Sequence, residues 1–497
     1  MTGKARWYHH GRASGGWHAP LMVRVWIVAP LAVLGAIAAG WLIYRLVVDR
    51  LVDDASDAIK TTLAILTLVG AVLAGVYAYR KQRIAESDAH RADVNQFADR
   101  YTTAAEQLGH DKAAVRLAGV YALARLADDW EEQRQVCIDV LCAYLRMPYQ
   151  PEADAPRYRE GEREVRRTII RLIGNHLRLA AEHPHSWQRF DFDFTGVTFD
   201  AGDFHQAVFS GGSVAFAGAE FRDAEVSFRE AVFSDGSVDF SDAVFSSGNV
   251  AFDKAKFSGA KVDFTLAKFC GARVNFNSAE FSSSPVAFNS AAFSGGILDF
   301  GSAEFSGSTV SFDHAKFSRP VNPTDAASSH GTVSFQGAAF SKGTVSFFNT
   351  RFSGAMVDLS AKFRGAEVDF TNAKFSDGTV KYSKAVFSTS TVCFDEAEFS
   401  GGTVDFSTAM FAGGTVGFDK AAFSGSTVKL SAVFCGAEVN FRQAVFSDGS
   451  VDFDGASFLS GLVDFRNVTS WAAPPRFNDQ VVGSPPAGLL LPSPTAG

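Results

Sequence analysis

One repeat dominates this chain. The unit V-x-F-x4-F recurs every twelve residues, so that Val262 and Phe264 are followed by Val274 and Phe276. Of the 47 phenylalanines in the chain, 45 lie between residues 190 and 471. A short fixed period of this kind indicates stacked structural repeats, and it constrains the fold more than any other feature.

Each unit fits two very short β-strands and a turn. Val262 and Phe264 are two residues apart and therefore point to the same side of a strand, while Asp263 points away. Ala267 and Phe269 form a second inward pair, and small residues suited to a corner follow. Stacked units bury phenylalanine against phenylalanine at about 1.5–3 kcal/mol each. The sequence therefore predicts a β-solenoid whose coils rise about 4.8 Å each.

The repeat can be followed for 22 units if Leu298 and Val321 are accepted as weak copies. Three units are one residue short, and they begin at Val310, Val357 and Val428. All three have odd unit numbers, so pairing units two to a coil would place them on one flank. This pattern favours coils of about 24 residues, twice the twelve-residue period.

The repeats resemble the pentapeptide-repeat family. AKFSGAKVDF (residues 255–264) and AKFCGARVNF (residues 267–276) have alanine two residues before a central phenylalanine, which is the pattern of that family. The resemblance implies a right-handed, four-sided β-helix with the alanine and the central residue inside. This sequence adds two residues to each pair of pentapeptides, so the number of residues per coil stays open.

Length and composition set further bounds. At 497 residues the chain is too long for one domain. Its formal charge is −8, and the solenoid carries the acidic excess with 32 acidic against 20 basic residues. Five unpatterned cysteines favour reduced thiols over a disulfide framework. Cys270 and Cys435 replace the serine that usually follows phenylalanine, so we interpret them as serine substitutes.

Two apolar runs predict a transmembrane hairpin over residues 21–81, after a basic N-terminal tail over residues 1–20. The spans cover about residues 25–44 and 61–79, contain no charged residue, and are long enough to cross the hydrocarbon layer. Four lysines or arginines lie on each outer flank, against three in the connecting loop. This bias predicts a multi-pass cell-membrane protein whose N terminus and solenoid face the cytoplasm, with the lipid bilayer as one partner.

Residues 82–189 have helical periodicity. Gly109 breaks the pattern, and Asp111 is a candidate N-cap for the helix that follows. We expect helices at about residues 82–108, 112–127, 130–146 and 163–182.

Two features of this helical segment carry a resemblance. The second and third helices are similar to one HEAT-like helical hairpin. RYTTAAEQLG and VRLAGVYALARLA, within residues 100–127, resemble the membrane-proximal segment of bacterial membrane-anchored pentapeptide-repeat proteins. The resemblance implies the whole domain order, but it supplies no biochemical activity.

The solenoid itself is expected over residues 190–471. The helix at residues 163–182 could cover its first coil, whose edge would otherwise be open to strand pairing. We expect the arginine-rich face of that helix to be solvated, with contact to lipid headgroups or nucleic acid as the alternative. Residues 472–497 are rich in proline, glycine and alanine and are expected to form a disordered tail, in which Leu489–Leu491 could dock.

The sequence offers no catalytic constellation. It contains no phosphate-binding loop, nucleophile elbow, zinc-protease motif or paired C-x-x-C motif. His183 and His185 are better explained by a helix-to-solenoid junction than by a metal, and Gly401-Gly402 and Gly413-Gly414 are interpreted as solenoid corners. We therefore predict no enzyme, no cofactor, and no catalytic, cofactor-binding or metal-binding residues.

Three functions remain. The favoured one is a non-enzymatic, membrane-anchored scaffold that presents a β-solenoid surface to an unidentified protein partner. The second is DNA mimicry with binding to a topoisomerase, for which the charge of the solenoid is thin, and nucleic acid is not expected as a partner. The third is a membrane sensor or a pore-forming assembly through the hairpin. Phe348 lies outside the repeat and could mark a contact, and homo-oligomerisation is left open.

Overall fold

A computed structural model gives the architecture of two parts of the chain. They are units formed by residues 1–96 and residues 97–497. The described residues are 55–156, 158–318, 331–478, 481 and 483–492, together with nine helical residues between 34 and 45.

The helices match the expected order. They are α1 (Ala55–Leu108), α2 (Ala113–Asp129), α3 (Arg134–Arg146) and α4 (Glu162–Leu177), with a 3-10 turn at Glu131–Gln133 before α3. The continuous helix through residue 108 is confirmed. The predicted cap at Asp111 is wrong, because no side chain caps α2 and the N-cap residue is Lys112. The backbone carbonyl of Asp111 instead accepts a hydrogen bond from Arg116, and the ring of His110 accepts the Lys112 N–H at 3.0 Å.

In the N-terminal unit, one helical stretch among the described residues, Thr62–Leu108, is long and apolar enough to cross a membrane. The other predicted span, residues 25–44, lies largely outside the described residues. Its described part includes Gly40, which is buried, and a Cβ on Gly40 would lie 3.3 Å from the side chain of Leu66. Gly40 therefore permits a close approach to α1.

The C-terminal unit is dominated by a parallel β-solenoid of about 12 coils. Among the described residues its strands form two sheets, of 20 and 17 strands. The first sheet comprises Phe192–Asp193, Val208–Ser210, Ser213–Ala215, Val232–Ser234, Ser237–Asp239, Lys256–Ser258, Lys261–Asp263, Glu280–Ser282, Val286–Ala287, Glu304–Ser306, Thr309–Ser311, Ala339–Ser346, Lys362–Asp369, Val386–Ser388, Ser390–Cys393, Met410–Phe411, Gly414–Gly417, Val433–Asn440, Ser457–Asp464 and Leu489–Leu490. The second comprises Thr198–Asp203, Glu220–Ser227, Val244–Phe245, Gly248–Ala251, Lys268–Phe269, Arg273–Asn275, Ala292–Phe293, Ile297–Asp299, Lys316–Ser318, Thr332–Ser334, Arg351–Asp358, Lys374–Lys381, Glu398–Phe399, Thr403–Asp405, Ala422–Lys429, Val445–Asp452 and Ser470–Trp471.

The strand register confirms a coil of 24 residues. Phe257 pairs with Phe281, and Val262 pairs with Val286, 24 residues later in both cases. Successive twelve-residue units alternate between the two sheets, so two units complete one coil.

Four ladders of stacked rings fill the interior. In one of them Phe240, Phe264 and Phe288 stack with centroid separations of 4.7 and 4.8 Å. The other ladders run through Phe245, Phe252 and Phe257 in the same way. The ladders follow from the sequence because the constant register places each phenylalanine on its equivalent in the next coil.

The corners of the coils need a left-handed residue. After Phe252, for example, Lys254 has φ of +55° and the Ala255 N–H donates to the Phe252 carbonyl at 3.0 Å. Two corners are one residue shorter, and there Leu359 and Leu430 replace phenylalanine. In each, the alanine two residues later donates to the leucine carbonyl at 2.7 Å. Both corners lie on the same flank, as the short units at Val357 and Val428 predicted.

The assignment of Val321 to the repeat was wrong. Val333 pairs with Leu298 and therefore occupies the repeat position that follows Val310. Ile297 pairs with Thr332, 35 residues later instead of 24, so this coil contains additional residues. Val321 itself lies in 319–330, outside the described residues. The short unit predicted between Val310 and Val321 therefore does not exist.

Helix α4 covers the first coil, as predicted. A Cβ on Gly174 would lie only 2.5 Å from the carbonyl oxygen of Asp203, so glycine is needed where the helix meets the strand. A Cβ on Gly202 would lie 3.5 Å from Ile170, which faces the coil from α4. These contacts protect the open edge of the solenoid.

The other end is also covered, which contradicts the expected disorder after residue 471. Leu489–Leu490 pairs in parallel with the strand at Val463, and Phe477 stacks on Phe453 at 5.0 Å. Leu489 is buried, so the docking element in the tail binds its own solenoid. An apolar residue and backbone pairing at the last coil outweigh the proline content of the segment. Residues 493–497 lie outside the described residues.

One core residue departs from the apolar interior. Tyr382 continues the ladder of Phe252 and stacks on Phe406 at 4.3 Å, but its hydroxyl is fully buried and has no hydrogen-bond partner among the described residues. Burial raises the pKa of this phenol well above its usual range. A buried hydroxyl without a partner costs folding free energy.

We therefore expect Tyr382→Phe to stabilise the protein by about 1–3 kcal/mol, because it removes only the unpaired hydroxyl. Urea unfolding of the detergent-solubilised chain measures the change, with Tyr158→Phe at an exposed tyrosine as the control. A loss of stability in Tyr382→Phe would show that the hydroxyl is hydrogen-bonded in the folded protein.

Candidate functional site

The outer surface of the solenoid consists of lanes of stacked side chains. Because the register is constant, an outward residue lies beside its equivalents in the coils before and after. In one lane Val232, Lys256, Glu280 and Glu304 follow one another. The side chains change along each lane, so each stretch has its own chemistry.

The acidic residue in V-D-F has a structural role. The carboxylate of Asp263 accepts the backbone N–H of Thr265 at 2.9 Å and so holds the corner. Burial acts to raise the pKa of Asp263, but hydrogen bonds from Thr265 and the charge of Lys261 outweigh it and keep the pKa below its ordinary value. The same contact is made by Asp239, Asp299, Asp369 and Asp405. Part of the acidic excess therefore serves the fold.

A shallow groove of about 690 Å³ follows one corner of the solenoid. Its lining is entirely polar and comprises Gln206, Glu230, Lys254, Lys256, Ser278, Glu280, Ser302 and Glu304. Lys256 lies 3.2 Å from Glu280, and Gln206 donates to Glu230 at 2.9 Å, so these charges are partly paired. Small-molecule sites are mostly apolar and enclosed. This groove is better suited to an extended polar segment of another protein.

The arginine-rich face of α4 is neither solvated nor free to bind another ligand, which corrects the sequence-based expectation. Arg163 Nε lies 2.7 Å from the carboxylate of Asp200, and Arg178 lies 2.8 Å from that of Asp203. Arg166 is buried and stacks on the ring of Tyr149 at 4.4 Å. The arginines therefore fasten the helical segment to the acidic first coil, which lies far away in any helical pattern.

A buried charge cluster holds the helices together. Glu162 lies 3.3 Å from Arg116 Nε and 4.0 Å from Arg166, and it accepts the Tyr144 hydroxyl at 2.7 Å. Burial lowers the pKa of Arg166, opposed by the charge of Glu162, and burial also raises the pKa of Tyr144. Arg116 further donates to the backbone carbonyls of residues 110, 111 and 160. The cluster fixes the loop between α3 and α4, and it is closed to solvent.

Burial disfavours thiolate chemistry at three cysteines. It raises the pKa of Cys137 and Cys142 to about 12 and that of Cys393 to about 11. Since the thiolate is the reactive form, these side chains are poor nucleophiles. Cys270 is exposed and takes the backbone position of the serine it replaces, with its N–H donating to the Phe245 carbonyl at 2.9 Å.

The other features that the sequence singled out lie apart from one another. The His185 N–H donates to the His183 ring at 3.1 Å in the turn after α4. A Cβ on Gly401 would lie 2.1 Å from the Ser376 carbonyl oxygen, which explains the glycine as a turn residue. Phe348 is 36% exposed at a corner. The structure therefore brings none of them into one site.

Comparison with known proteins adds little. No family model matches the chain, and no curated protein sequence matches it. Among solved structures, the chain is similar to full-length QnrB1, a plasmid-mediated fluoroquinolone resistance protein. The match has 12% sequence identity and a TM-score of 0.16 over 48% of this chain and 96% of that one. At this level of similarity, the architecture is argued from the strand register of this chain alone.

Proposed function

We propose that the chain is a non-enzymatic scaffold, anchored in a membrane by a two-helix hairpin, whose solenoid offers its outer lanes to a protein partner. The observation that carries this proposal is the closed interior. Four ring ladders fill the coils, so recognition falls to the outer surface. The four strand segments of each coil also favour the right-handed, four-sided helix of pentapeptide-repeat proteins.

The anchor rests on composition and exposure. Thr62–Leu108 includes an 18-residue window with a mean hydropathy of 1.9. Large apolar side chains around this region are exposed, with Ile37 at 63%, Trp41 at 61% and Leu63 at 65%. Such a surface is stable in hydrocarbon but costly in water. The contact of Gly40 with Leu66 supports packing of the two spans as a hairpin.

The register allows a sharp test of the scaffold. Lys256 and Met410 occupy equivalent positions, each pairing with the equivalent valine of the preceding coil. Deleting residues 256–409 therefore removes whole coils and keeps both covered ends. We expect the deleted chain to enter the membrane normally and to lose the protein partners that crosslinking in native membranes recovers with the full chain.

Two outcomes would contradict the proposal. An unchanged partner set would move recognition to the hairpin or the helical segment. Conductance from the hairpin alone in planar bilayers would favour a pore. Extraction of the full chain from membranes by alkaline carbonate would contradict the anchor, because spanning helices resist that treatment.

A further inference from the structure

Three consecutive coils carry a cationic array at one corner of the solenoid. The segments HAKFS (residues 314–318), NTRFS (residues 349–353) and NAKFS (residues 372–376) stack in register. We call this array, together with an exposed aromatic ring, the basic patch. It comprises His314, Lys316, Phe348, Asn349, Arg351 and Lys374.

The stacking of like charges is the central observation. Lys316 pairs in register with Arg351, and Arg351 pairs with Lys374. Neighbouring parallel strands lie about 4.8 Å apart, so three cations stand within about 10 Å along the axis. Like charges placed directly beside one another on a sheet repel. The fold tolerates this repulsion in a chain that is otherwise acidic.

The charges of the basic patch are only partly compensated. Lys374 binds Glu398 of the next coil at 2.9 Å. Lys316 and Arg351 lie within ion-pair distance of no carboxylate among the described residues. The preceding neighbour of Lys316 is Ala292, so the array begins abruptly. Two exposed cations are therefore available to an external anion.

Phe348 adds an apolar anchor to the patch. Its ring is 36% exposed and contacts that of His314 edge-on, with centroids 5.9 Å apart. The ring of His314 also contacts the Asn349 amide at 3.0 Å, which fixes the corner that presents Phe348. Exposed aromatic and arginine side chains that lie together are typical centres of protein interfaces.

We propose that the basic patch binds an acidic segment of a partner protein that carries an apolar side chain among its carboxylates. This inference rests on the proposed scaffold function and names the chemistry of its partner. The carboxylates would pair with Lys316 and Arg351, and the apolar side chain would pack on Phe348. A long polyanion fits less well, because Glu396 and Glu398 limit the patch on the next coil.

The test measures binding of fluorescein-labelled peptides to the full chain in detergent by fluorescence anisotropy. The acidic probe alternates aspartate and glutamate with phenylalanine and leucine, and the control probe has lysine at every acidic position. The variant Lys316→Glu/Arg351→Glu reverses the free cations. Its matched control, Lys268→Glu/Lys384→Glu, makes the same change in net charge elsewhere on the solenoid, with Lys268 in the lane of Lys316.

We expect the acidic probe to bind the unmodified chain, and the lysine probe not to bind. Affinity should fall about tenfold or more in Lys316→Glu/Arg351→Glu and by less than about twofold in the matched control. Phe348→Ser should weaken binding by about threefold or more, since an apolar anchor is lost. An unchanged thermal midpoint in each variant would show that the coils remain folded.

Two results would overturn the proposal. Equal weakening in the patch variant and the matched control would reveal a general effect of net charge. Tighter binding of a 20-base-pair DNA duplex or of phosphatidylserine vesicles than of the acidic probe, lost in the same variant, would assign the patch to another anion. If crosslinked partners disappear on deletion of residues 256–409 but persist in the patch variant, the scaffold stands and the patch assignment fails.

Discussion

Replacing Phe276 with alanine is expected to lower the free energy of unfolding by about 3–5 kcal/mol. Phe276 is 1% exposed and stacks on Phe252 at 4.6 Å and on Phe300 at 4.8 Å. It also meets Phe264 and Phe281 of the neighbouring ladders at 6.1 and 6.0 Å. The surrounding rings are held by backbone pairing on both sides, so they cannot collapse into the cavity.

Urea unfolding followed by circular dichroism measures this loss. Leu459→Ala is the control, because Leu459 belongs to the same solenoid but is 73% exposed. That variant should change stability by less than about 0.5 kcal/mol. A loss below about 1 kcal/mol in Phe276→Ala would mean that the coils adjust to fill the space, contrary to the rigid stacking described here.

The second large effect is expected from Glu162→Ala, which should destabilise the helical segment by about 3–5 kcal/mol. The substitution leaves the buried guanidinium groups of Arg116 and Arg166 without their carboxylate, and it removes the acceptor of the Tyr144 hydroxyl. Removing one partner of a buried ion pair strands the charge of the other, which costs more than the pair contributes.

Tryptophan fluorescence is a suitable probe, because Trp187 is fully buried beside this segment and stacks on His176 at 4.1 Å. The control is Glu164→Ala, an exposed residue in the same turn of α4. Glu162→Gln keeps a hydrogen-bond acceptor without the charge and should lose less than Glu162→Ala. Equal stability of the two alanine variants would show that backbone carbonyls alone compensate the arginines.

Inward residues were readable from the sequence because their pattern is local. The spacing of Val262 and Phe264 gives the face of a strand, and a period of twelve gives the stack. The residues per coil could only be favoured from the sequence, whereas the pairing of Phe257 with Phe281 establishes 24. The repeat motif also gave a false match at Val321, since a lone valine is weak evidence without its pairing partner.

The ends of the solenoid show the limits of local patterns. The proline-rich composition after residue 471 indicated disorder, but Phe477 and Leu489 find partners on the last coil. The arginines of α4 looked solvated because a helical wheel cannot show Asp200 and Asp203, which face them from the first coil. In both places a contact distant in sequence decided the outcome.

By itself, the sequence determined the solenoid, its inward phenylalanines and the order of its segments, because each depends on spacing within one unit. Only the tertiary structure decided which outward side chains are neighbours. Lys316 and Arg351 are 35 residues apart in the chain, and the additional residues of that coil hide their equivalence until the strands are paired. Outward chemistry depends on the register between coils, and that register is fixed by backbone pairing and ring stacking, which do not constrain the outward residues themselves.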